Sequence, residues 1–246
     1  MPLTAPPEAQ ALLLDLQALD SKLQQLAQRE SALPEARDVT ALEAERESLR
    51  ATLAEQTGAW EDGQAELGRV ESDVEVVEAR IARDSERLQA SSSTKDVAAL
   101  EQELEALARR KSDLEDIELA VMESVEHRET ELGATQTALA ELEERIGQAV
   151  VARDTAFGHL REDARRATAD RAALVERIPH DLLELYERQR ARYGLGASLL
   201  RGGVSTGSGM TLTPTDLAEI RAAAPDAVIL CPESSAILVR TAESGL

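Results

Sequence analysis

Residues 60 to 81 read WEDGQAELGRVESDVEVVEARI, and within them Trp60, Gly63, Leu67, Val70, Val74, Val77 and Ile81 succeed one another at steps of three or four. Mixed steps of three and four keep side chains on one narrow stripe of an α-helix, the a and d positions of a coiled-coil seam. Glu, Asp and Arg crowd the positions between them, as on a helix whose remaining faces meet water. The stripe extends towards the C-terminus to Leu88, and towards the N-terminus through Leu53, Leu49 and Leu42 to Leu33, Leu26, Leu23, Leu19, Leu16 and Leu12. Pro34 interrupts it. Proline lacks a backbone donor and disfavours helix at the residue before it, so a kink is expected near 34, with Asp38 or Thr40 capping the restart.

Residues 90 to 94 read ASSST, a polar cluster of the kind that forms turns and caps. Beyond it a second ridge runs through Val97, Leu100, Leu104, Leu107, Leu114, Val121, Val125, Leu132, Leu139, Leu142, Ile146, Ala149, Leu160, Leu174 and Ile178. Two ridges of near-equal length around a short turn are expected to fold back on each other antiparallel. A single long helix pairing in parallel with a second chain would have to bury the serine stretch mid-rod. The pattern therefore predicts a mainly α protein: a disordered proline-rich start over 1–7, an antiparallel coiled-coil hairpin over 8–178, and a small C-terminal α+β module over 179–246.

The seam is uneven. Gly58, Gly63 and Gly68 fall in the first arm and Gly133, Gly147 and Gly158 in the second, while Lys111, Arg128 and Thr135 stand where the heptad calls for an apolar residue. A helix-interior glycine costs about 1 kcal/mol relative to alanine. A flexible mid-rod segment and the ordinary tolerance of a long coil both account for them.

Composition narrows the function. Aromatic residues make up 2% of the chain, too few to build a thick core, and the formal net charge is −20. An acidic chain is a poor binder of phosphate backbones, although nine Arg face seven Asp and Glu between Arg161 and Arg201. Asp84, Glu86, Asp96 and Glu101, with Lys95, give an acidic hairpin tip, a layout that resembles transcript-cleavage factors acting in the RNA polymerase channel. No tight carboxylate pair sits in the turn itself, so a solvated face is expected there. The single Cys231 fits a reducing compartment, and the first ten residues lack the basic and apolar regions of a signal peptide. No apolar stretch is long enough for a membrane helix. A cytoplasmic protein without a catalytic constellation or a phosphate loop is expected, and hence no enzyme.

The tail changes character. Ile178-Pro179 closes the second arm, a short amphipathic helix spans 181–192, Ala197 to Leu200 reads as a strand, and 202–209 as a Gly/Ser loop. Thr213-Pro214-Thr215 starts a helix, and the runs 227–230 and 236–239 flank Cys231-Pro232-Glu233-Ser234 as in a β-hairpin. Ile178-Pro179, Leu185-Tyr186-Glu187-Arg188, Leu212-Thr213-Pro214, Cys231-Pro232 and Ile237-Leu238 together resemble the bacterial C4-type zinc-ribbon proteins that carry a long coiled-coil hairpin. The resemblance places the metal ligands at Ser205, Ser208, Cys231 and Ser234, where only one cysteine remains. Serine hydroxyls stay protonated at neutral pH and are poor zinc ligands, so the resemblance implies a ribbon without metal and no cofactor. Its core would be Val204, Leu212, Leu217, Ile220, Val228, Leu230, Ile237 and Val239.

The resemblance further implies a bacterial adaptor linked to gene regulation: a hairpin that presents a zinc-ribbon-like module to a protein partner the residues do not name. The alternative is RNA or DNA binding through Arg188, Arg190, Arg192 and Arg201, against the net charge. A polymerase-channel factor acting through the tip is a weaker alternative. Whether the chain is a monomer or a dimer is not legible.

Overall fold

The computed structural model describes residues 3–245. Helix α1 spans Pro7–Ser31, α2 Pro34–Ala90 and α3 Thr94–Val175. A module follows, of α4 (His180–Tyr193), β1 (Ala197–Arg201), β2 (Val204–Ser205), α5 (Pro214–Ala222), β3 (Ile237–Val239) and a 3-10 turn, Ala242–Ser244. The chain divides into two units, one formed by Met1–Glu35 with Ala152–Leu246 and the other by Ala36–Val151.

In the second unit α2 and α3 run antiparallel. Arg50 meets Glu143 at 3.0 Å, Glu78 meets Lys111 at 2.5 Å, and Arg80 pairs with Glu103. As one number rises the other falls, as a hairpin requires. Leu114, Val125, Leu142 and Ile146 are buried in the seam. Both long polar side chains that break the heptad are used across it. Lys111 bridges Glu78 and Glu115, which raise its pKa. Arg128 lies over Gly63 and donates to the Ala59 carbonyl of the opposite helix at 2.7 Å. A Cβ on Gly63 would stand 2.8 Å from that guanidinium and 3.0 Å from Val125 Cγ2, so the glycine makes room for the arginine. A Cβ at Gly58, Gly68, Gly133, Gly147 or Gly158 would meet nothing within 4 Å.

The break before α2 is tighter than the sequence suggests. The helix restarts at Pro34 itself, where the missing N–H is one that has no intrahelical partner anyway. Asp38 and Thr40 are therefore inside α2 and cap nothing; Thr40 Oγ1 donates to the Ala36 carbonyl at 3.0 Å.

In the first unit α1 pairs antiparallel with the end of α3, Asp20 to Arg171 at 2.7 Å and Glu30 to Arg161 at 3.2 Å. The sheet has the order β2-β1-β3, with β1 antiparallel to β2 and parallel to β3. Gly202 and Gly203, with φ of 53° and 79°, make a two-residue turn that pairs Arg201 with Val204. The stretch 202–209, expected as a loop, thus opens with a hairpin, and its Gly-Gly dipeptide is the signal that marks one. The hairpin expected between 227–230 and 236–239 is reduced to a single bridge, Leu230 to Ile237, flanked by the Leu238 amide donating to the Ile229 carbonyl and the Cys231 amide to the Ala236 carbonyl, both at 2.8 Å.

The N-terminal segment also departs from expectation. Residues 1–2 lie outside the described residues, but 3–7 are ordered and not disordered. Thr4 bridges Ala227, the Ala5 amide donates to the Asp226 carbonyl at 2.8 Å, and the Val228 amide to the Leu3 carbonyl at 3.0 Å. Gln10 Nε2 locks the junction by donating to the Ala5 carbonyl at 2.8 Å. The segment is thus held to residues 226–228 by one isolated bridge and two backbone hydrogen bonds.

Two apolar clusters result. Leu13, Leu16, Leu174, Ile178, Leu182, Tyr186, Ala197, Ile237 and Val239 join the helix ends to the sheet. Leu200, Leu212, Ile220, Cys231 and Leu238 fill the module's far side. Each fully buried leucine, isoleucine or valine among them contributes about 1.5–3 kcal/mol. Of the core expected for the module, Leu230 is a correction: it is 42% exposed.

Candidate functional site

Asp20 sits at the centre of the first unit's polar interior. It is 6% exposed, yet it is a carboxylate on a helix face otherwise lined by Ala9, Leu13 and Leu16. Its oxygens accept from Arg171 Nε at 2.7 Å and from the Tyr186 hydroxyl at 2.7 Å, and Arg190 Nη1 forms an ion pair with it at 3.0 Å. Glu187 pairs with both arginines. One turn earlier, Gln17 Oε1 accepts the Gly196 amide at 2.7 Å and the Ala197 amide at 3.3 Å. The network fastens α4 and β1 to α1 and α3. Burial raises the Tyr186 pKa, helped by the Asp20 carboxylate, and Asp20 raises that of Arg171 against the cost of burial. Gly196 lies so near the Tyr186 ring that a Cβ there would be 2.4 Å from a ring carbon.

Arg240 closes the other side. Its guanidinium donates to the carbonyls of Ile220, Ala223, Ala224, Pro225 and Ala227 at 2.6–3.2 Å. These include carbonyls at the end of α5, which no further turn of helix satisfies. Thr213 and Asp216 supply a capping box at the start of α5.

The four positions given by the zinc-ribbon resemblance behave unequally. Ser205 is fully buried, its hydroxyl 3.2 Å from that of Ser198. Cys231 is 1% exposed. Burial pushes its thiol up, but hydrogen bonds with the Ser234 and Ser205 hydroxyls and with the Ser234 and Glu233 backbone outweigh this and leave its pKa lowered. Ser205, Cys231 and Ser234 are thus gathered in one place. Ser208 turns to its own loop, accepting from the Met210 amide at 3.3 Å. One thiol and a set of hydroxyls do not fit zinc, which is held by four thiolate or imidazole donors in structural sites. Among the described residues no group of three or more His, Cys, Asp or Glu side chains is placed to hold a metal ion.

The four arginines considered for nucleic acid each have a neighbour within the fold. Arg190 turns inward to Asp20, and Arg201 is held by Glu243 at 2.7 Å. Arg188 lies 3.6 Å from Glu184, and Arg192 stacks 5.3 Å from the Tyr193 ring centre. At the tip, Asp84 is buried between Arg80 at 3.6 Å and Arg87 at 3.2 Å, so its charge is compensated within the hairpin.

Sequence reasoning missed Gln17, Asp20, Tyr186, Arg171 and Arg240 as a fastening set. A signal existed: Gln10, Leu13, Gln17 and Asp20 repeat at steps of three and four beside the leucine seam. A second stripe next to the first marks a helix packed on two sides.

In the second unit, antiparallel arms joined by a tight turn define a coiled-coil hairpin. The chain belongs to the CT398-like coiled coil hairpin domain family, whose pattern matches residues 16–194. An uncharacterized protein of Mycobacterium tuberculosis is 34% identical over 232 residues, which cover 94% of this chain and 95% of that one. A solved Mycobacterium smegmatis structure is similar at 35% identity with a TM-score of 0.84, covering 97% of this chain and 100% of the other. CT398 from Chlamydia trachomatis shares the fold at 20% identity, TM-score 0.67, over 95% of this chain and 98% of its own. Among the described residues no helix is long and apolar enough to cross a membrane.

Proposed function

We propose that this protein is a non-enzymatic scaffold whose hairpin presents a metal-free, zinc-ribbon-like module to a protein partner. The observation that carries the reading is the Asp20 network. A buried carboxylate taking two guanidinium groups and a tyrosine hydroxyl holds the module in one orientation on α1 and α3, as presentation to a partner needs. The Ser205–Cys231–Ser234 cluster and the Arg240 staple supply the cross-links that a ribbon otherwise takes from zinc. The resemblance to hairpin adaptors suggests a role in gene regulation in the bacterial cytoplasm.

The test is affinity purification of the tagged full chain from its native cell, with the Leu230→Glu variant in parallel. Leu230 is 42% exposed on the module, so the change leaves the fold intact. A near-stoichiometric protein partner lost in the variant supports the proposal. Recovery of no protein, together with micromolar single-stranded RNA binding on a steep salt slope, puts the nucleic-acid reading first. Core RNA polymerase as the partner, retained by Leu230→Glu and lost on changing Asp84, points to the tip instead.

A further inference from the structure

Residues 36–151 hold 29 of the acidic and 13 of the basic side chains, a net −16 out of the chain's −20. The charge is concentrated in mid-arm. Residues 55–78 of α2 carry eight carboxylates and one arginine, and residues 113–131 of α3 likewise carry eight and one. The arms face each other there, since Glu78 meets Lys111 and Gly63 meets Val125. The basic residue on α3, Arg128, is spent across the seam on the Ala59 carbonyl.

On this belt α3 has a second stripe. Its seam is marked by the buried Leu114 and Val125, 3% and 5% exposed. Glu115, Leu119, Met122 and Glu126 follow at steps of four, three and four on a different face. Leu119 is 59% and Met122 46% exposed, although steps of four and three are those of a coiled-coil contact. Glu118 and Glu123 flank the apolar pair, four residues before Met122 and four after Leu119.

We propose that this face of α3 docks a basic amphipathic helix of a partner protein, with aliphatic residues set between Leu119 and Met122 and Lys or Arg against the flanking glutamates. Charge decides the occupant. A second copy of this chain would bring another acidic belt against the first, and like charges across a coiled-coil contact are repulsive. A cationic helix gains both the apolar contact and the field of the belt, which steers it on approach. The surface lies in the hairpin unit and goes beyond the module-centred reading above.

The probe is a labelled synthetic helix of about three heptads with Leu at its a and d positions and Lys on the flanks. Its binding to the full chain is followed by fluorescence anisotropy near physiological salt. Micromolar affinity is expected, weakened about tenfold or more by Leu119→Gln with Met122→Gln, which leaves the net charge unchanged. Met210→Gln, an exposed methionine in the other unit, should leave it unaltered. Circular dichroism checks that each variant keeps its helix. The proposal is overturned if the double variant binds as tightly as the parent, or if the same peptide with Ala for Leu does, because attraction is then charge alone. It is also overturned if sedimentation shows a dimer that the double variant abolishes, because the occupant is then a second copy.

Discussion

Replacing Asp20 with alanine removes the acceptor on which Arg171, Arg190 and the Tyr186 hydroxyl converge. Breaking a buried ion pair from one side costs about 3–5 kcal/mol, because the partners stay behind uncompensated. Here the cost is moderated. The Arg171 and Arg190 side chains are 21% and 39% exposed, and Glu187 remains to both. The Tyr186 hydroxyl keeps a long contact to Gln17 at 3.3 Å. The lower end, about 3 kcal/mol, is therefore expected, and at 1.4 kcal/mol per tenfold this is roughly a hundredfold. The assay is native-state hydrogen exchange of the Gly196 and Ala197 amides, which Gln17 accepts beside the network and whose opening reports release of β1 from α1. Exchange should quicken about a hundredfold in Asp20→Ala, by less in Asp20→Asn, and by less again when Asp20 and Arg171 are both made leucine. Protection unchanged within about threefold in Asp20→Ala would show that apolar packing alone seats the module, and the argument from the network would fail.

The raised Tyr186 pKa makes a signed prediction. Its folded value lies above the unfolded value near 10, so its contribution is complete below about pH 10 and is lost as pH rises towards the folded value. Urea titrations above that pH should show the parent losing up to about 1.4 kcal/mol per pH unit relative to Tyr186→Phe. Gly196→Ala should cost about 3 kcal/mol or more in the same assay, since the added methyl must displace a fully buried ring. Alanine at Gly58, Gly68, Gly133, Gly147 and Gly158 should each stabilise by about 1 kcal/mol, measured by thermal unfolding, because the space is open. Retained stability with lost partner binding in those variants would make the glycines a hinge. Protein purified with zinc present should carry well under one metal per chain, whereas Ser205→Cys, Ser208→Cys and Ser234→Cys combined should bind about one and become chelator-sensitive.

The hairpin was readable because coiled-coil seams are local: steps of three and four along one helix state which face is buried, whatever lies opposite. The turn at 90–94 was equally plain, as serine and threonine leave helices for reasons confined to a few residues. Where reading went wrong, a distant partner decided. Residues 3–5 look like part of a loose proline-rich tail until Asp226 and Val228 offer them backbone hydrogen bonds. Leu230 looks like core, yet the folded module leaves it 42% exposed.

The sequence by itself determined two apolar ridges, their antiparallel return, and an acidic chain poor in aromatic rings. Only the tertiary structure decided that a buried aspartate fastens the module and that one thiol and two serine hydroxyls share a place. It also decided that mid-arm leucine and methionine face outward among glutamates. The physical reason is range. Helical periodicity repeats every few residues and is written along the chain, whereas a hydrogen bond from Tyr186 to Asp20 spans 166 positions and exists only after the chain has folded.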